Sequence, residues 1–402
     1  MISIEQAREI MQLHRFDPEI EHVTLQRALG RTLAIDVFAD RSLPPFDRVS
    51  MDGIAVAAAD LDAGIRSFYC ESKQFAGEPA VRRSDNAGTC IETATGAVLP
   101  GNCDTIIPYE ALIETADAFI LRDAIHVKPY QNVHRAGSDL PENTRILPLG
   151  STIDAAAIAA LASVGYAQVP VFTLPRTAIV STGDELVDVE QIPLPHQIRQ
   201  SNAHTIQSLL QPLGVHATHY HLDDDRSVML NWLASHTSRF DLIIFSGGVS
   251  MGKKDFLPEV LAEIGVEKHF HKVSQRPGKP MWFGSKQNMH VFGLPGNPVS
   301  TFLSVILHVR PWIASSAPLA TLAPEPVLLG ESFEFAPELT LFQPVILKNE
   351  NGCLYAYPVR GNGSGDYHSL IQCTGVIELL AHRNRFERDE IVHYTSFAWR
   401  KN

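Results

Sequence analysis

Between Arg176 and about Ile313 the sequence alternates short apolar, β-branched runs with segments of helical periodicity, and this pattern constrains the fold most. The runs TAIVST, HATHYHL, DLIIF and MHVF predict strands, and the segments between them carry apolar residues at helical spacing. Gly214 and Gly265 stand where two of the predicted helices end. Strands alternating with helices of these lengths predict βαβ units and a doubly wound, mostly parallel sheet.

The sequence on either side of this region has a different pattern. Residues 46–134 contain short β-like pieces separated by Gly, Pro and Asp, which predicts a small β-rich domain. Residues 315–402 begin with a Pro/Ala-rich linker and continue as short strands, which predicts a C-terminal β domain, barrel-like in shape. We therefore expect an α/β fold with additional all-β modules, in which the α/β domain spans 176–314 and linking segments span 1–45 and 135–175.

Length, charge and cysteine usage exclude several classes of protein. A chain of 402 residues exceeds one ordinary domain, and a net charge of −12 argues against an extended nucleic-acid groove. The five cysteines are scattered and include no CxxC, as is typical of reduced thiols in the cytoplasm. The N-terminal segment carries Glu5 and Glu9 and has its apolar residues at helical spacing, so it does not resemble a signal peptide. No run is apolar and long enough to predict a membrane span.

Polar motifs follow the predicted strands of the α/β region. STGDEL follows TAIV, the acidic run 223–225 follows HATHYHL, SGGVSMGKKD follows DLIIF, and LPGNPVS follows MHVF. Because ligands of open α/β sheets bind beyond the carboxyl ends of the strands, we expect these motifs to share one rim. Gly247 and Gly248 would let backbone amides approach phosphate oxygens, and Pro298 is expected to begin a helix with Asn297 as its N-cap. Taken alone, each motif fits a strand-to-helix turn equally well.

Carboxylates at the same rim indicate a metal site. Glu185, Asp224 and Asp255 come from separate loops, and hard oxygen ligands of this kind suit Mg²⁺ that also contacts substrate phosphates. Asp255 could instead cap the helix that follows it. Asp223 and Asp225 are expected to be solvated loop acids or N-caps.

A local cluster of cations lies in KVSQRPGKP, although the chain is acidic overall. Lys272, Arg276 and Lys279 could neutralise a phosphate or an oxyanion, and the alternative is a basic surface strand. The alternating histidines of HATHYHL and HFHK fit half-exposed strands better than a metal site, so we assign no histidine a role. The sequence contains no Walker A sequence and no HExxH.

These motifs, taken in order, resemble the molybdopterin molybdenumtransferase family of the MoeA and gephyrin E-domain type. PPFDRVSMDGIAV, ATGAVLP, STGDEL, SGGVSMGKKDF, RPGKP and LPGNPVS occur in the order and approximate spacing of that family, and the resemblance covers nearly the whole chain. It implies insertion of molybdate into adenylylated molybdopterin with Mg²⁺-dependent release of AMP. It also implies a molybdopterin-binding α/β domain and an elongated N-terminal domain completed by residues 135–175. The expected assembly is a homodimer whose active site is shared between subunits, and the adenylyltransferase that makes the substrate is an expected partner.

The resemblance assigns roles by motif. The expected catalytic acids are Asp52, Glu185, Asp224 and Asp255, of which the last three are also the expected metal ligands. The expected substrate-binding residues include members of the glycine loops and the prolines of LPGNP; the full set is Thr95, Asp139, Ser181, Gly183, Gly247, Gly248, Ser250, Lys272, Arg276, Lys279, Pro295, Asn297, Pro298, Arg360 and Ser364.

One position departs from the family pattern. Where the family often has an arginine thought to hold molybdate, this chain has Pro344. Arg360, in RGNGSGD, is expected to replace it, beside Ser364, which matches a serine of the family. Because of this departure, a related enzyme that uses tungstate or a modified pterin stays an alternative function for the chain. A pterin-binding scaffold without catalysis is the second alternative.

Overall fold

The computed structural model describes residues 1–123, 125–249, 255–316 and 324–398. They form two compact units, one of 1–35, 150–158 and 168–402 and the other of 36–149 and 159–167. Within these described residues, no helix is long and apolar enough to cross a membrane. The domain boundaries predicted from the sequence stay predictions.

The elements are numbered here in chain order. Those before residue 176 are α1 Ile4–Leu13, β1 Ile20–Thr24, β2 Val37–Phe38, β3 Arg48–Val49, β4 Gly53–Val56, α2 Ala58–Asp62, β5 Ser67–Gln74, β6 Thr89–Thr93, β7 Thr105–Pro108, β8 Leu112–Glu114, β9 Phe119–Leu121, β10 Val133–His134, β11 Arg145–Leu147, α3 Ala155–Ser163 and β12 Gln168–Phe172.

The α/β region contains β13 Thr177–Thr182, β14 Leu186–Val187, β15 Ile198–Arg199, α4 Asn202–Leu210, β16 Ala217–Leu222, α5 Arg226–His236, β17 Leu242–Ser246, α6 Leu257–Glu263, β18 Glu267–His271, β19 Gln275–Arg276, β20 Trp282–Lys286, β21 Met289–Leu294, α7 Pro298–Ser304, a π-helical turn Val305–Val309 and α8 Arg310–Ser315. The C-terminal part contains β22 Glu325–Leu329, β23 Phe333–Glu334, β24 Thr340–Glu350, β25 Cys353–Pro358, β26 Gly375–Leu379, β27 Arg385–Phe386 and β28 Ile391–Ser396.

The central sheet has the strand order β16-β13-β17-β21-β20-β18. The pairings among β16, β13, β17 and β21 are parallel, as predicted. Every residue of β13, β17 and β21 is buried, because strands covered on both faces need continuous apolar runs. The edge strand β16 is mostly exposed, which accounts for its alternating histidines. The strand character expected of HFHK is present in β18, whereas β20 and the antiparallel edge that β18 and β20 add were not predicted.

Helices cover both faces of this sheet, as a doubly wound fold requires. Ile179, Ile244 and Phe292 point into one core with residues of α1, α4, α7 and α8. Their neighbours Val180 and Phe245 point into the other core, with residues of α5 and α6. Successive residues alternate between the faces because the side-chain period of a strand is two. The predicted fold class is confirmed.

The C-terminal strands close into a five-stranded barrel. Around the barrel, neighbouring strands follow the order β24, β25, β22, β28 and β26. Pairing of β26 with β24 closes the barrel. Their inward side chains form a separate apolar core, with Val345, Ile377 and Val392 among its members. The short strand β19, from the cationic RPGKP segment, adds to the outer edge of β24 in parallel. This pairing brings the segment next to the barrel.

The smaller unit contains a second sheet with the order β7-β4-β6-β5-β9-β8. Apolar residues of β4, β6 and β7 are fully buried on either side of the sheet, with Ile54 and Ile107 in one core and Ala55 and Ile91 in the other. The predicted β-rich character of residues 46–134 is therefore present in this unit. The segment ATG follows β6, and MDG precedes β4 and includes its first residue, Gly53.

Candidate functional site

Hydrogen bonds join the loops at the carboxyl ends of the four parallel strands. The Gly247 amide donates to the carbonyl of Leu294 at 3.0 Å, which ties the SGG loop to LPGN. The Asp224 amide donates to the Asp184 carboxylate at 3.0 Å, which ties the acidic loop to STGDEL. The predicted convergence of these motifs at one rim is thus present in the fold.

Asn202 is a rim residue that the sequence analysis missed. It is the first residue of α4, and its side-chain amide donates to Ser246 Oγ at 2.9 Å and to the carbonyl of Gly296 at 2.7 Å. It therefore fixes the ends of β17 and β21 relative to each other. Its position, directly after Ser201 at the start of a predicted helix, was the available signal in the sequence.

Gly247 is required at the rim by both conformation and space. Its φ of +106° is unfavourable for other residues, and a Cβ there would lie 2.7 Å from Thr182 Oγ1. The buried Thr182 Oγ1 and Asn202 Oδ1 have no hydrogen-bond partner among the residues that the structure describes. Because buried polar atoms are normally paired, both atoms are candidates for contact with water or a polar ligand.

The acids of the rim differ in environment. The Glu185 carboxylate lies against Gly183, with Oε2 2.7 Å from the place that a Cβ on Gly183 would take. Asp224 and Asp255 are half-buried. Asp225 caps α5 by accepting hydrogen bonds from the amides of Ser227 and Val228, as expected for a structural acid.

Asp255 does not occupy the N-cap position of the helix that follows it. The helix begins at Leu257, and its N-cap position is Phe256. Within the described ranges, no group of three or more His, Cys, Asp or Glu side chains is arranged to hold a metal ion. Binding of Mg²⁺ by Glu185, Asp224 and Asp255 therefore stays a prediction.

A cavity of about 410 Å³ lies between the α/β domain and the C-terminal barrel, within one compact unit. Three segments supply its walls: the RPGKP loop, the LPGNPV segment and the barrel with its RGNGSGD loop. Five of the predicted substrate-binding residues line it, namely Arg276, Lys279, Pro295, Asn297 and Ser364. The tertiary structure therefore joins motifs that are far apart in the sequence.

Exposed cations stand on one wall of this cavity. Both Arg276 and Lys279 are exposed, and the Arg276 guanidinium lies 5.8 Å from the centre of the Phe335 ring. Lys272 has a φ of +76°, and its amide and carbonyl bond to Met281 and Ile2, so it closes the base of the loop. Lys272 and the predicted Pro298 are not among the residues that line the cavity in the described structure.

Asn297 and Ser364, which also line the cavity, are hydrogen-bonded to each other. Pro298 begins α7 with Asn297 at the N-cap position, which confirms the predicted helix start. The Asn297 side chain does not cap the helix; its amide donates to Ser364 Oγ at 2.9 Å. The Val299 amide donates to the carbonyl of Ser364 at 3.0 Å. These bonds hold the RGNGSGD loop against the helix.

Pro344 also lines this cavity, at the position where the resemblance predicts an arginine. Gln343, the residue before it, donates from its side chain to the carbonyls of Pro344 at 3.0 Å and Val359 at 2.7 Å. Both residues of this pair face the cavity. Arg360 is exposed and stands in the chain between the lining residues Val359 and Gly361.

In the smaller unit, Asp52 and Thr95 form a hydrogen-bonded pair. One carboxylate oxygen of Asp52 accepts from the Thr95 amide at 2.6 Å and from its hydroxyl at 2.8 Å. These bonds, amide first, lower the pKa of Asp52 below its usual value. The pair brings MDG and ATG together, and its acid is an exposed carboxylate.

Asp139 is held by a histidine to which the sequence analysis gave no role. His134 Nε2 lies 2.7 Å from Asp139 Oδ1, and Arg48 Nη2 donates to His134 Nδ1 at 3.0 Å. Because arginine can only donate, Nδ1 accepts, and Nε2 is the nitrogen that carries hydrogen towards Asp139. The alternation of polar residues in NVHRAGSD gave no signal for this arrangement.

The other predicted residues have simpler positions. Ser181 is buried within β13, and Gly183 and Gly248 lie in the rim loops. Ser250 lies outside the described residues.

Comparison with known protein families gives matches along nearly the whole chain. The MoeA N-terminal region (domain I and II) matches residues 2–165, a probable molybdopterin binding domain matches residues 178–315, and the MoeA C-terminal region (domain IV) matches residues 326–397.

Individual proteins show the same similarity. The molybdopterin molybdenumtransferase of Synechocystis sp. is 36% identical over 99% of this chain and 100% of its own length. That of Haemophilus influenzae is 33% identical, covering 78% of this chain and 77% of its own length. A crystal structure of the molybdopterin biosynthesis MoeA protein from Pyrococcus horikosii superposes with a TM-score of 0.84 at 27% identity, covering 99% of this chain and 100% of that one.

Proposed function

Because this chain belongs to the molybdopterin molybdenumtransferase family, we propose that it inserts molybdate into adenylylated molybdopterin and releases AMP. The observation that carries the proposal is the cavity of about 410 Å³, which is lined by the cations Arg276 and Lys279 together with Asn297 and Ser364. A substrate with phosphates and an oxyanion needs such a combination of cations and hydrogen-bond donors.

The roles proposed for these side chains follow from their chemistry. Lys279 and Arg276 neutralise the charge of phosphate oxygens, and Asn297 with Ser364 orients the ligand by hydrogen bonds. The amides of Gly247 and Gly248 and the buried Thr182 hydroxyl supply further donors at the rim. Together these groups stabilise negative charge as AMP leaves, and they cost no rearrangement because they are held in place before the reaction.

Mg²⁺ is the proposed metal ion, with Asp224 and Asp255 as its ligands and Glu185 nearby. The carboxylates supply the hard oxygen donors that Mg²⁺ prefers, and this ion commonly takes one or two protein carboxylates together with phosphate oxygens. When bound, it would polarise the phosphoanhydride that links AMP to the pterin. In the described residues no cluster of three such side chains exists, so the proposal relies on ligands from the substrate and water.

Arg360 is proposed as the molybdate contact in place of the arginine that Pro344 replaces. Replacing it by alanine should raise the KM for molybdate about tenfold or more, because a charged hydrogen bond to the oxyanion is lost. Arg385→Ala is the matched control, since Arg385 pairs with Glu334 and Glu387 and, unlike Arg360, has no chain neighbour among the lining residues of the cavity. An unchanged molybdate KM in Arg360→Ala would show that another group holds the oxyanion.

The transferase proposal is tested by following AMP release from adenylylated molybdopterin with Mg²⁺ and either molybdate or tungstate. We expect release that depends on both Mg²⁺ and the oxyanion, and Asp255→Asn should abolish it while leaving binding of the adenylylated pterin intact. The absence of AMP release from the wild-type protein under all of these conditions would contradict the proposal. Higher activity with tungstate would identify the related enzyme instead.

A homodimer with a shared active site is also proposed, with Asp52, Thr95 and Asp139 acting on substrate held by the partner. Light scattering should give twice the mass of the chain. If the sites are shared, mixing inactive Asp52→Asn with inactive Asp255→Asn subunits should restore roughly a quarter of the wild-type activity, because mixed dimers keep one intact site. No recovery after verified subunit exchange would exclude an active site shared between subunits.

We also propose that the protein acts in the cytoplasm and that an adenylyltransferase supplies its substrate.

A further inference from the structure

The cationic RPGKP segment is a loop whose two ends are fixed by backbone hydrogen bonds. It connects β18 to β20, and the Lys272 amide donates to the carbonyl of Met281 at 2.8 Å. Inside that closure, the Val273 amide donates to the carbonyl of Lys279 at 3.0 Å. Gln275 and Arg276 also pair with Thr340 and Leu341 of β24. Between Arg276 and Lys279 the backbone turns, and a buried side chain contacts the carbonyls of this turn.

Gln275 occupies the inside of this turn. Its side chain is 1% exposed, and its amide nitrogen lies 3.1 Å from the carbonyl oxygen of Pro277 and 3.5 Å from that of Gly278. These two peptide units stand between Arg276 and Lys279, the cations that line the cavity. The backbone path that joins the two cations is therefore in contact with this one buried amide, while Arg276 is also paired with Leu341 of β24.

His308 fixes Gln275 from the other side. His308 is 0% exposed and lies in the π-helical turn that follows α7, and its Nε2 is 2.8 Å from Gln275 Oε1. Because the amide nitrogen of Gln275 faces carbonyls, its oxygen faces His308, and Nε2 must carry the hydrogen. Burial lowers the pKa of His308 to about 3, so the ring stays neutral and keeps this donor at any working pH.

Gly278 leaves room for this arrangement. Its φ is +86°, and a Cβ there would lie 2.8 Å from Gln275 Nε2 and 2.9 Å from Ser304 Oγ. The glycine of the loop thus packs directly against the buried amide. A π-helical turn inserts one extra residue per turn and often occurs at functional sites, and here it is the turn that supplies His308.

We propose that Gln275 and His308 are a positioning pair for anion binding: the imidazole orients the buried amide, and the amide holds the loop so that Arg276 and Lys279 both face the cavity. Neither side chain lies among the residues assigned above to catalysis or substrate contact. The inference rests on the proposed function for the identity of the natural substrate. The positioning role of Gln275 and His308 applies to the binding of any polyphosphate ligand.

The first test is calorimetric titration of the intact protein with inorganic pyrophosphate. We expect Gln275→Leu and His308→Leu to weaken binding about tenfold or more, because small displacements of positioned groups cause losses of this order. His308→Gln places an amide nitrogen near the lost Nε2 and should recover most of the affinity. Circular dichroism and thermal melts identify any variant that fails to fold, and the comparison of His308→Gln with His308→Leu then decides.

A double-mutant cycle distinguishes positioning from general stability. If Gln275 acts through Lys279, adding Gln275→Leu to Lys279→Ala should weaken pyrophosphate binding less than it does in the wild-type protein. In AMP release, Gln275→Leu should raise the KM for the adenylylated pterin more than it lowers kcat. Additive effects in the cycle, or a lowered melting temperature with unchanged affinity, would overturn the proposal.

The outcomes separate this inference from the proposed function. If the wild-type protein binds pyrophosphate but releases no AMP, the transferase proposal is refuted. The positioning role of Gln275 and His308 is then decided by the double-mutant cycle. A wild-type protein that shows no pyrophosphate binding at millimolar concentration refutes the positioning pair, because the cations would then not form an anion site.

Discussion

Asp52 illustrates what local chemistry decides at the scale of one residue. Its carboxylate is exposed, yet a single oxygen accepts two hydrogen bonds from Thr95, one from the amide and one from the hydroxyl. Hydrogen bonds to the ionised form favour that form, and the pKa of Asp52 is accordingly lowered. The sequence contained both motifs, MDG and ATG, but not their contact, because 43 residues separate the partners.

Thr95→Val tests this contact. The substitution removes the hydroxyl donor and keeps the amide donor, so we expect the pKa of Asp52 to rise towards its ordinary value. Carbon-detected NMR titration of the Asp52 carboxyl measures the change. Thr115→Val is the control, since the Thr115 hydroxyl donates to the carbonyl of Ala118. A titration of Asp52 that is identical in Thr95→Val and the wild-type protein would contradict the assignment.

At the scale of secondary structure, the signals that end or begin helices explain several boundaries. Pro298 begins α7, and Gly214 follows the helical segment after α4 with a φ of +78°, both as predicted. The adjacent acids of the 223–225 run have different positions. Asp225 caps α5, while Asp224 lies at the rim, where its amide donates to the Asp184 carboxylate. Cap geometry therefore distinguishes structural from candidate catalytic acids.

Asp225→Ala should destabilise the protein by about 1 kcal/mol, because α5 loses the acceptor for two of its first amides. Urea unfolding followed by circular dichroism gives the change in free energy. Asp223→Ala is the matched control: Asp223 is exposed and sits two residues away without capping the helix, so its replacement should change stability by less than about 0.5 kcal/mol. Equal losses in the two variants would argue against the cap.

At the scale of the whole molecule, the central sheet contains a buried histidine, His290, whose titration links stability to pH. His290 is 4% exposed within β21, and its ring lies near Phe283 and Trp312. Burial, with the nearby His14 and His269, lowers the pKa of His290 to about 4. In the unfolded chain the ordinary histidine pKa applies, so protonation favours unfolding. The stability contributed by neutral His290 is complete above about pH 6.5 and is lost as the pH falls towards 4.

We therefore expect the free energy of unfolding to decrease on acidification below pH 6.5, by up to about 1.4 kcal/mol per pH unit for this group. His290→Phe should flatten this dependence, since the aromatic ring remains but the proton site is removed. Urea titrations at several pH values between 7 and 4.5 measure the slopes. His196→Phe, at an exposed position, should keep the wild-type slope. A His290→Phe slope as steep as that of the wild-type protein would contradict the expectation.

The sequence alone determined the doubly wound α/β domain and the convergence of its loop motifs, because continuous apolar runs, helical periodicity and glycine-bearing strand ends are local properties of the chain. It also indicated the cations of RPGKP, but not what holds them. Only the tertiary structure brought Asn297 to Ser364, Gln275 to His308 and the barrel strand β24 to the RPGKP loop, and it alone supplied β20 and the antiparallel pairing of β18. These contacts join segments that are distant in sequence. Such hydrogen bonds depend on the path of the folded backbone and leave no periodic signal in the amino-acid order.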